Sequence, residues 1–404
     1  MVLAILELVA GGCAVAVLAP ALVFAVEVAL ALLPGRQPRE TEGERPRLAV
    51  VIPAHDEAEI IAATVRTVLD QLGQADRVVV VADNCSDATA DRAREAGARI
   101  VERTDTDHRG KGYALAAGVA ALAEDPPGVV VILDADCEPE PGAIDAIARQ
   151  AVATGRPAQA EYLMRPPTDA TVGDRVSALA FRFKNSVRPR GLARVGAPCL
   201  LTGSGMAFGY ETIRDATLAT GDIVEDMRLG VDLAIAGKPP SPCPGARVWS
   251  VLPGSDDARV SQRTRWEHGH LASMGVHAPR LVWNGLVRER PGLIALALEL
   301  CVPPMSLLVI ATSGVVIGTG IVALVTGNWV PAIIAACALG FCAAGFAAGW
   351  ARFGRDDLPA RELWQVPAYA IGKIPIYLRA LTSRQKAWVR TARDPASDSD
   401  ACTR

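Results

Sequence analysis

The residues best placed to do chemistry are Asp134 and Asp136, one residue apart after the apolar run Val129-Val130-Val131-Ile132-Leu133. Two hard oxygen donors at this spacing suit a divalent cation that keeps some waters and bridges to phosphate oxygens. The competing reading is a strand end whose aspartates cap the next helix. Four other clusters carry polar chemistry. Lys111 stands between Gly110 and Gly112 at a helix start, where a cation and free N–H groups suit a phosphate or a polar base. Glu225-Asp226 precede an apolar helix; they cap it, or one of them takes a proton from an incoming hydroxyl. Gln262-Arg263-Thr264-Arg265-Trp266 offers a guanidinium clamp for a diphosphate and a flat apolar face for a sugar ring, or is simply an amphipathic helix. Two polar turns, Pro53-Ala54-His55-Asp56-Glu57 and Asp83-Asn84-Cys85-Ser86-Asp87-Ala88-Thr89, complete the set.

Buried strands must position these groups. Val129–Leu133 is β-branched and apolar throughout except for its last residue, as in a strand covered on both faces. Leu48–Pro53 and Arg77–Ala82 read the same way, and each runs into one of the polar turns. Helix patterns at Glu57–Leu72, Asp87–Ala96 and Gly112–Glu124 alternate with them, which predicts a mostly parallel sheet with helices on both faces. In such sheets ligands sit at the carboxyl ends of the strands, so the three turns share one edge. Beyond residue 155 the pattern loosens. A helix is expected at Thr171–Asn185, a Gly-rich turn at Thr202–Gly205 and a helix from Glu225 to Ala236.

Composition adds a membrane. Half the residues are hydrophobic, 5% are aromatic, and the mean hydropathy is +0.25. The 19 residues from Leu8 to Val26 are uncharged, and the apolar run continues to Leu33, long enough to cross a bilayer. No basic stretch precedes it, which argues against a cleaved signal peptide. Arg36, Arg39, Arg45 and Arg47 follow, so the positive-inside bias puts the N-terminus outside and the next domain in the cytosol. No charge falls between Leu300 and Ala351. Pro303–Val325 and Trp329–Trp350 read as two crossings, Leu293–Leu298 as a segment along the interface, and Leu363–Leu381 as an interfacial helix interrupted by Pro367, Lys373 and Pro375. The basic tail (Arg384, Lys386, Arg390, Arg393) follows on the cytosolic side. The net charge of −3 gives no case for a nucleic-acid partner. The nine cysteines show no metal-ligand spacing and read as free thiols in a reducing compartment.

Taken together, Pro53–Glu57, Asp83–Thr89, Gly110–Gly112, Asp134-Ala135-Asp136, Thr202–Gly205, Val224-Glu225-Asp226 and Gln262–Trp266 resemble the membrane-embedded family 2 glycosyltransferases, such as the cellulose, hyaluronan and poly-N-acetylglucosamine synthases. The resemblance covers residues 48–270. It implies an α/β fold of GT-A type with N- and C-terminal transmembrane helices, divided as a helix (1–34), a cytosolic catalytic domain (35–290), an interfacial segment with two crossings (291–350), and an interfacial helix with the tail (351–404). It also implies an inverting hexosyltransferase of the plasma (inner) membrane using a nucleotide sugar, in the first instance a UDP-sugar. Pro53, Ala54, Glu57 and Asp83 would hold the nucleoside and Lys111 the nucleotide. Asp134, Ala135 and Asp136 would bind the diphosphate through Mg²⁺ or Mn²⁺, with Asp136 the closer ligand and Asp134 beside it. Asp226 would be the general base, with Glu225 structural or orienting the acceptor. Gln262, Arg263, Arg265 and Trp266 would hold the leaving diphosphate and the acceptor end. The partners implied are the donor, a glycan or lipid acceptor, membrane lipids, and export or assembly proteins. Two departures stand out: His55-Asp56, and Asn84 in a turn where relatives carry glycine. Alternatives within reach are a single-transfer glycolipid synthase similar to ceramide glucosyltransferase, and a non-catalytic scaffold with the same fold.

Overall fold

The computed structural model describes residues 1–34, 45–222, 224–252 and 256–382. Arg36, Arg39, Ile223 and the tail arginines and lysine lie outside the described residues. In chain order the elements are α1 (Val2–Leu32), β1 (Leu48–Ala54), α2 (Ile61–Leu69), β2 (Arg77–Asp83), α3 (Thr89–Glu95), β3 (Arg99–Arg103), α4 (Lys111–Ala120), β4 (Val129–Ile132), β5 (Glu138–Pro139), α5 (Ala143–Thr154), β6 (Ala158–Arg165), α6 (Val172–Arg182) and α7 (Arg188–Arg194). They continue with β7 (Met206–Gly209), α8 (Tyr210–Arg214), α9 (Glu225–Ile235), β8 (Ser241–Val251), α10 (Asp256–Val287), α11 (Pro291–Leu300), α12 (Met305–Thr326), α13 (Val330–Gly349), α14 (Val366–Gly372) and α15 (Ile374–Thr382).

The chain divides into two compact units. One is built from residues 45–168 and 201–266. All eight strands of the described residues fall in it and form one sheet in the order β3-β2-β1-β4-β7-β6-β8-β5. β1 pairs in parallel with β2 and β4, and β2 with β3. The expected α/β architecture is therefore present. β-branched runs such as Val78–Val81 and Val129–Ile132 are buried along their whole length, as strands covered on both faces must be. Apolar faces of α4 and α9 close the core, with Leu115, Val119, Leu229 and Leu233 packed together with Val51, Val81 and Phe208.

Beyond β4 the sheet turns mixed. β7 runs antiparallel to both β4 and β6, while β6 and β8 are parallel with a bulge between Ala160 and Glu161. The sequence gives little warning of these strands. β8 begins Ser241-Pro242-Cys243-Pro244-Gly245, and its prolines and glycine read as a loop. Arg45 and Arg47, taken as flanking charges of the membrane helix, are engaged in this unit. Arg45 pairs with Asp76 and Asp145, and Arg47 with Asp125.

The other unit comprises residues 1–34, 169–200 and 267–382. Three of its helices are long and apolar enough to cross a membrane: Val2–Leu32, Met305–Thr326 and Val330–Gly354. Phe183 sits in its core, 5.8 Å from the Phe24 ring and 5.7 Å from the Phe346 ring. α11 buries Leu293, Leu296 and Leu300 rather than presenting a bare apolar face. The expected Leu363–Leu381 helix is broken into a 3-10 turn (Ala360–Gln365), α14 and α15. Lys373 separates the last two and is itself buried, 2.5 Å from Glu267.

Glu27 does not end the first apolar helix. α1 runs on to Leu32, and the Glu27 carboxylate is buried 2.5 Å from the Arg188 guanidinium, which also donates to the Glu299 carbonyl at 2.9 Å. A buried pair of this kind stabilises little against an apolar substitute, yet removing one partner strands a charge. Arg188→Met should therefore lower stability by about 3–5 kcal/mol, while Arg188→Met with Glu27→Leu should recover most of it. Thermal unfolding of the three proteins in one detergent checks this; a double variant no better than the single would refute it.

Candidate active site

The carboxyl ends of β1, β2 and β4 lie on one edge, because the strands run parallel with Ala54 beside Ala82 and Val51 beside Ile132. Lys111 opens α4 at that edge. Its Nζ lies 2.5 Å from Asp134 Oδ1 and 3.9 Å from Glu225 Oε1, and donates to the Gly203 carbonyl at 2.7 Å. Burial works against its charge, but Asp134 and Glu225 outweigh it and hold the ammonium above its ordinary range. Burial also drives the Glu225 pKa up to about 8, against the pull of Lys111 and helped by the neighbouring Asp226.

Two glycines make this convergence possible. Gly203 has φ +91°, and a Cβ there would stand 3.3 Å from Asp226 Oδ2 and 3.4 Å from Lys111 Nζ. A Cβ at Gly112 would meet the Leu218 carbonyl at 2.4 Å, so only glycine lets the start of α4 approach the segment leading to Asp226. Asp226 begins α9 beside Glu225, and its Oδ1 accepts the Met227 N–H at 2.8 Å.

Asp134 and Asp136 follow β4 directly. One oxygen from each and the Cys137 sulfur lie within 4.8 Å of one another. The two carboxylates fit a hard divalent ion, and the neighbouring Lys111 is placed for phosphate charge. Arg265, half-buried on α10, feels the charges of Glu225, Asp134 and Asp136; burial nonetheless leaves its pKa below the ordinary value. Gln262, Arg263 and Trp266 are half-buried on the same helix.

Farther along the edge, Pro53 and Ala54 end β1, and the Glu57 N–H donates to the Thr89 hydroxyl at 2.7 Å. Asp83 is buried and 2.6 Å from Arg103 Nη1. The turn after it explains one departure from the family pattern. Asn84 has φ +54°, a left-handed conformation that asparagine tolerates better than other residues with a side chain. Its amide then donates to Asp83 and accepts the Asp105 N–H at 2.8 Å. Asp56 has the same φ of +54°, and its carboxylate accepts the Ser86 N–H at 2.6 Å.

Lys111, Asp134, Glu225, Asp226 and Arg265 thus converge, with Asp136 beside them and the β1 and β2 turns along the same edge. Sequence reasoning missed Arg103, whose Nη2 also donates to the His108 carbonyl at 2.8 Å and whose guanidinium lies 5.5 Å from the Tyr113 ring centre. It missed Thr64, Cys137 and Ser250 as well. Only Ser204 carried a signal, its place between two glycines.

A family model described as "Glycosyltransferase like family 2" matches residues 46–269. The chain is 32% identical over 114 residues to the probable glycosyltransferase YdaM of Bacillus subtilis, a match covering 26% of each protein. The chain thus spans about a quarter of that curated relative's length. The fold is similar to that of the mannosyltransferase PcManGT from Pyrobaculum calidifontis, solved with GDP-Man and Mn²⁺. The identity is 20% and the TM-score 0.54, covering 93% of this chain and 100% of that one. A match to a glucosyl-3-phosphoglycerate synthase from Mycobacterium tuberculosis, at 24% identity, covers 54% of this chain and 75% of that one with a TM-score of 0.36.

The Glu225 pKa, raised from 4.5 to about 8, makes a pH prediction. A carboxyl that prefers to stay protonated when folded contributes its stability fully below pH 4.5, and loses it as pH rises through 8. Wild type should weaken across that window by at most about 1.4 kcal/mol per pH unit from this group. Glu225→Gln should lack that slope, so its melting temperature relative to wild type should climb from pH 5 to pH 8.5. Parallel melting curves for the two proteins would disprove the raised pKa.

Proposed function

The chain belongs to glycosyltransferase-like family 2, and we propose that it is an inverting, metal-dependent hexosyltransferase moving a sugar from a nucleotide sugar to a glycan or lipid-linked acceptor. The observation that carries this reading is the convergence of Lys111, Asp134, Glu225 and Asp226 at the carboxyl edge of the sheet. Edge carboxylates and a buried lysine are the groups a sugar diphosphate needs.

In this reading Pro53, Ala54, Glu57 and Asp83 hold the nucleoside. Lys111 and Arg265 lie against the diphosphate, with Gln262, Arg263 and Trp266 at its acceptor side. Asp134 and Asp136 would hold Mg²⁺ or Mn²⁺, which neutralises charge on the departing diphosphate when bound. Asp226 accepts the proton of the attacking hydroxyl. That oxygen forms a bond to the anomeric carbon as the bond to the phosphate oxygen breaks, inverting the centre. A proton-accepting group so placed is worth roughly 10²–10⁴ in rate. The family resemblance selects Asp226 as the base and leaves the adjacent Glu225 to structural or acceptor-orienting work.

The donor base is assigned as uracil from the family resemblance, although the similar mannosyltransferase was solved with GDP-Man. Polysaccharide extension and single transfer to a lipid differ in product: a ladder of glycans or one glycolipid band. For topology, the N-terminus is placed outside, with residues 35–290 and 351–404 in the cytosol of an inner-membrane protein. A reporter fused after Arg404 should be cytosolic; an external signal would change the number of crossings.

Diphosphate release from UDP-sugars, screened beside GDP-sugars with protein in lipid, tests the activity. Release should need Mg²⁺ or Mn²⁺ and vanish in Asp136→Ala; full turnover in excess chelator would remove the metal from the mechanism. Asp226→Asn should keep nucleotide-sugar binding and lose about two orders of magnitude or more in turnover. Glu225→Gln should be milder. A dead Glu225→Gln beside an active Asp226→Asn would move the base by one residue.

A further inference from the structure

Resting on the reading just given, we propose that Thr64, Cys137, Ser204 and Ser250 form a buried clasp of positioning residues that sets the Asp134-Ala135-Asp136 turn for its divalent ion, with Cys137 at its centre. The four come from separate places: α2, the turn after β4, the Gly-rich turn and β8. Each grips a different part of the same three residues. Ser204 Oγ accepts the Asp134 N–H at 3.0 Å, and Thr64 donates to the Ala135 carbonyl at 2.6 Å. Ser250 donates to Asp136 Oδ2 at 3.1 Å, and the Cys137 thiol donates to Asp136 Oδ1 at 3.7 Å.

Cys137 joins the two halves. Its sulfur accepts the Ser204 hydroxyl at 3.1 Å and the Tyr162 hydroxyl, while its own S–H faces Asp136. Ser204, Cys137 and Ser250 are 0%, 1% and 3% exposed. Buried hydroxyls are costly unless bonded, so groups spent on one short turn fix its shape. Both oxygens of Asp136 are held by donors, which orients the carboxylate before any ion arrives. Groups that orient a metal's ligands in this way are worth 10–100-fold in affinity.

The experiment is Mn²⁺ affinity, read as loss of the free-ion paramagnetic resonance signal, for the full chain in lipid. Mn²⁺ is titrated alone, with UDP and with GDP, against wild type, Cys137→Ala, Cys137→Ser and Ser250→Ala. Cys137→Ala and Ser250→Ala should each weaken Mn²⁺ by about 10–100-fold. Cys137→Ser keeps a group that both accepts and donates, and should stay within a few-fold of wild type. A general loss of structure would not be rescued by serine alone. If Cys137→Ala does not fold, Ser250→Ala decides. Wild-type Mn²⁺ affinity in Cys137→Ala and Ser250→Ala overturns the clasp and leaves the transferase reading intact. No Mn²⁺ binding by wild type under any of the three conditions overturns the metal-dependent reading and the clasp with it.

Discussion

The structure around the sheet edge depends on one ion pair, Lys111 with Asp134 at 2.5 Å. Asp134, Glu225 and Asp226 all act on Lys111, and carboxylates this close repel one another. At an effective dielectric of 20, two unit charges 4 Å apart interact by about 4 kcal/mol. Such a set survives only if cations are built in or protons are retained. Lys111 sits among the acids, and burial shifts Glu225 toward its protonated form. A chain organised this way is already arranged for a polyanionic ligand carrying its own cation, because the charges that must be balanced are in place before it binds.

That arrangement is expensive in backbone geometry. It needs a left-handed glycine at 203, a glycine at 112 against a carbonyl, and left-handed Asp56 and Asn84 at the ends of β1 and β2. Local strain of this kind gathers where function overrides regular structure. The neighbouring strands show no such compromise. The valines and isoleucines of β1, β2 and β4 are buried throughout, giving a rigid base from which the turns project.

The helical unit solves a different problem. Its long apolar helices leave polar groups few partners, so Glu27, Arg188 and Glu299 find one another. Burial and the nearby Glu27 charge push the Glu299 carboxyl up to about 8. Aromatic contacts among Phe24, Phe183 and Phe346 supply the apolar counterpart, with Gly345 and Gly349 making room for the first two rings. A turn of π-helix at Phe183–Val187 places Phe183 immediately before the segment that carries Arg188.

By itself the sequence determined the parts whose signal is local. Runs of β-branched residues announced β1, β2 and β4, because strands buried on both faces need apolar residues at every position. Uncharged stretches long enough to cross a bilayer announced α1, α12 and α13. The acids at Asp134 and Asp136, Lys111 and the Glu225-Asp226 pair were legible because their spacing to a strand end or helix start is fixed along the chain. Tertiary structure alone decided what depends on separation in the chain. Prolines and a bulge hid β6 and β8, whose pairing is set by neighbours rather than by pattern. Nothing local to Glu27 announced its partner Arg188, 161 positions away. Glu225 and Asp226 stand side by side in the chain, and only the fold buries the first and raises its pKa, against the pull of Lys111, since a pKa belongs to an environment and not to a residue type. Ser250, Thr64 and Cys137 carry no local mark at all. Their hydroxyls and thiol matter only because folding aims them at one turn.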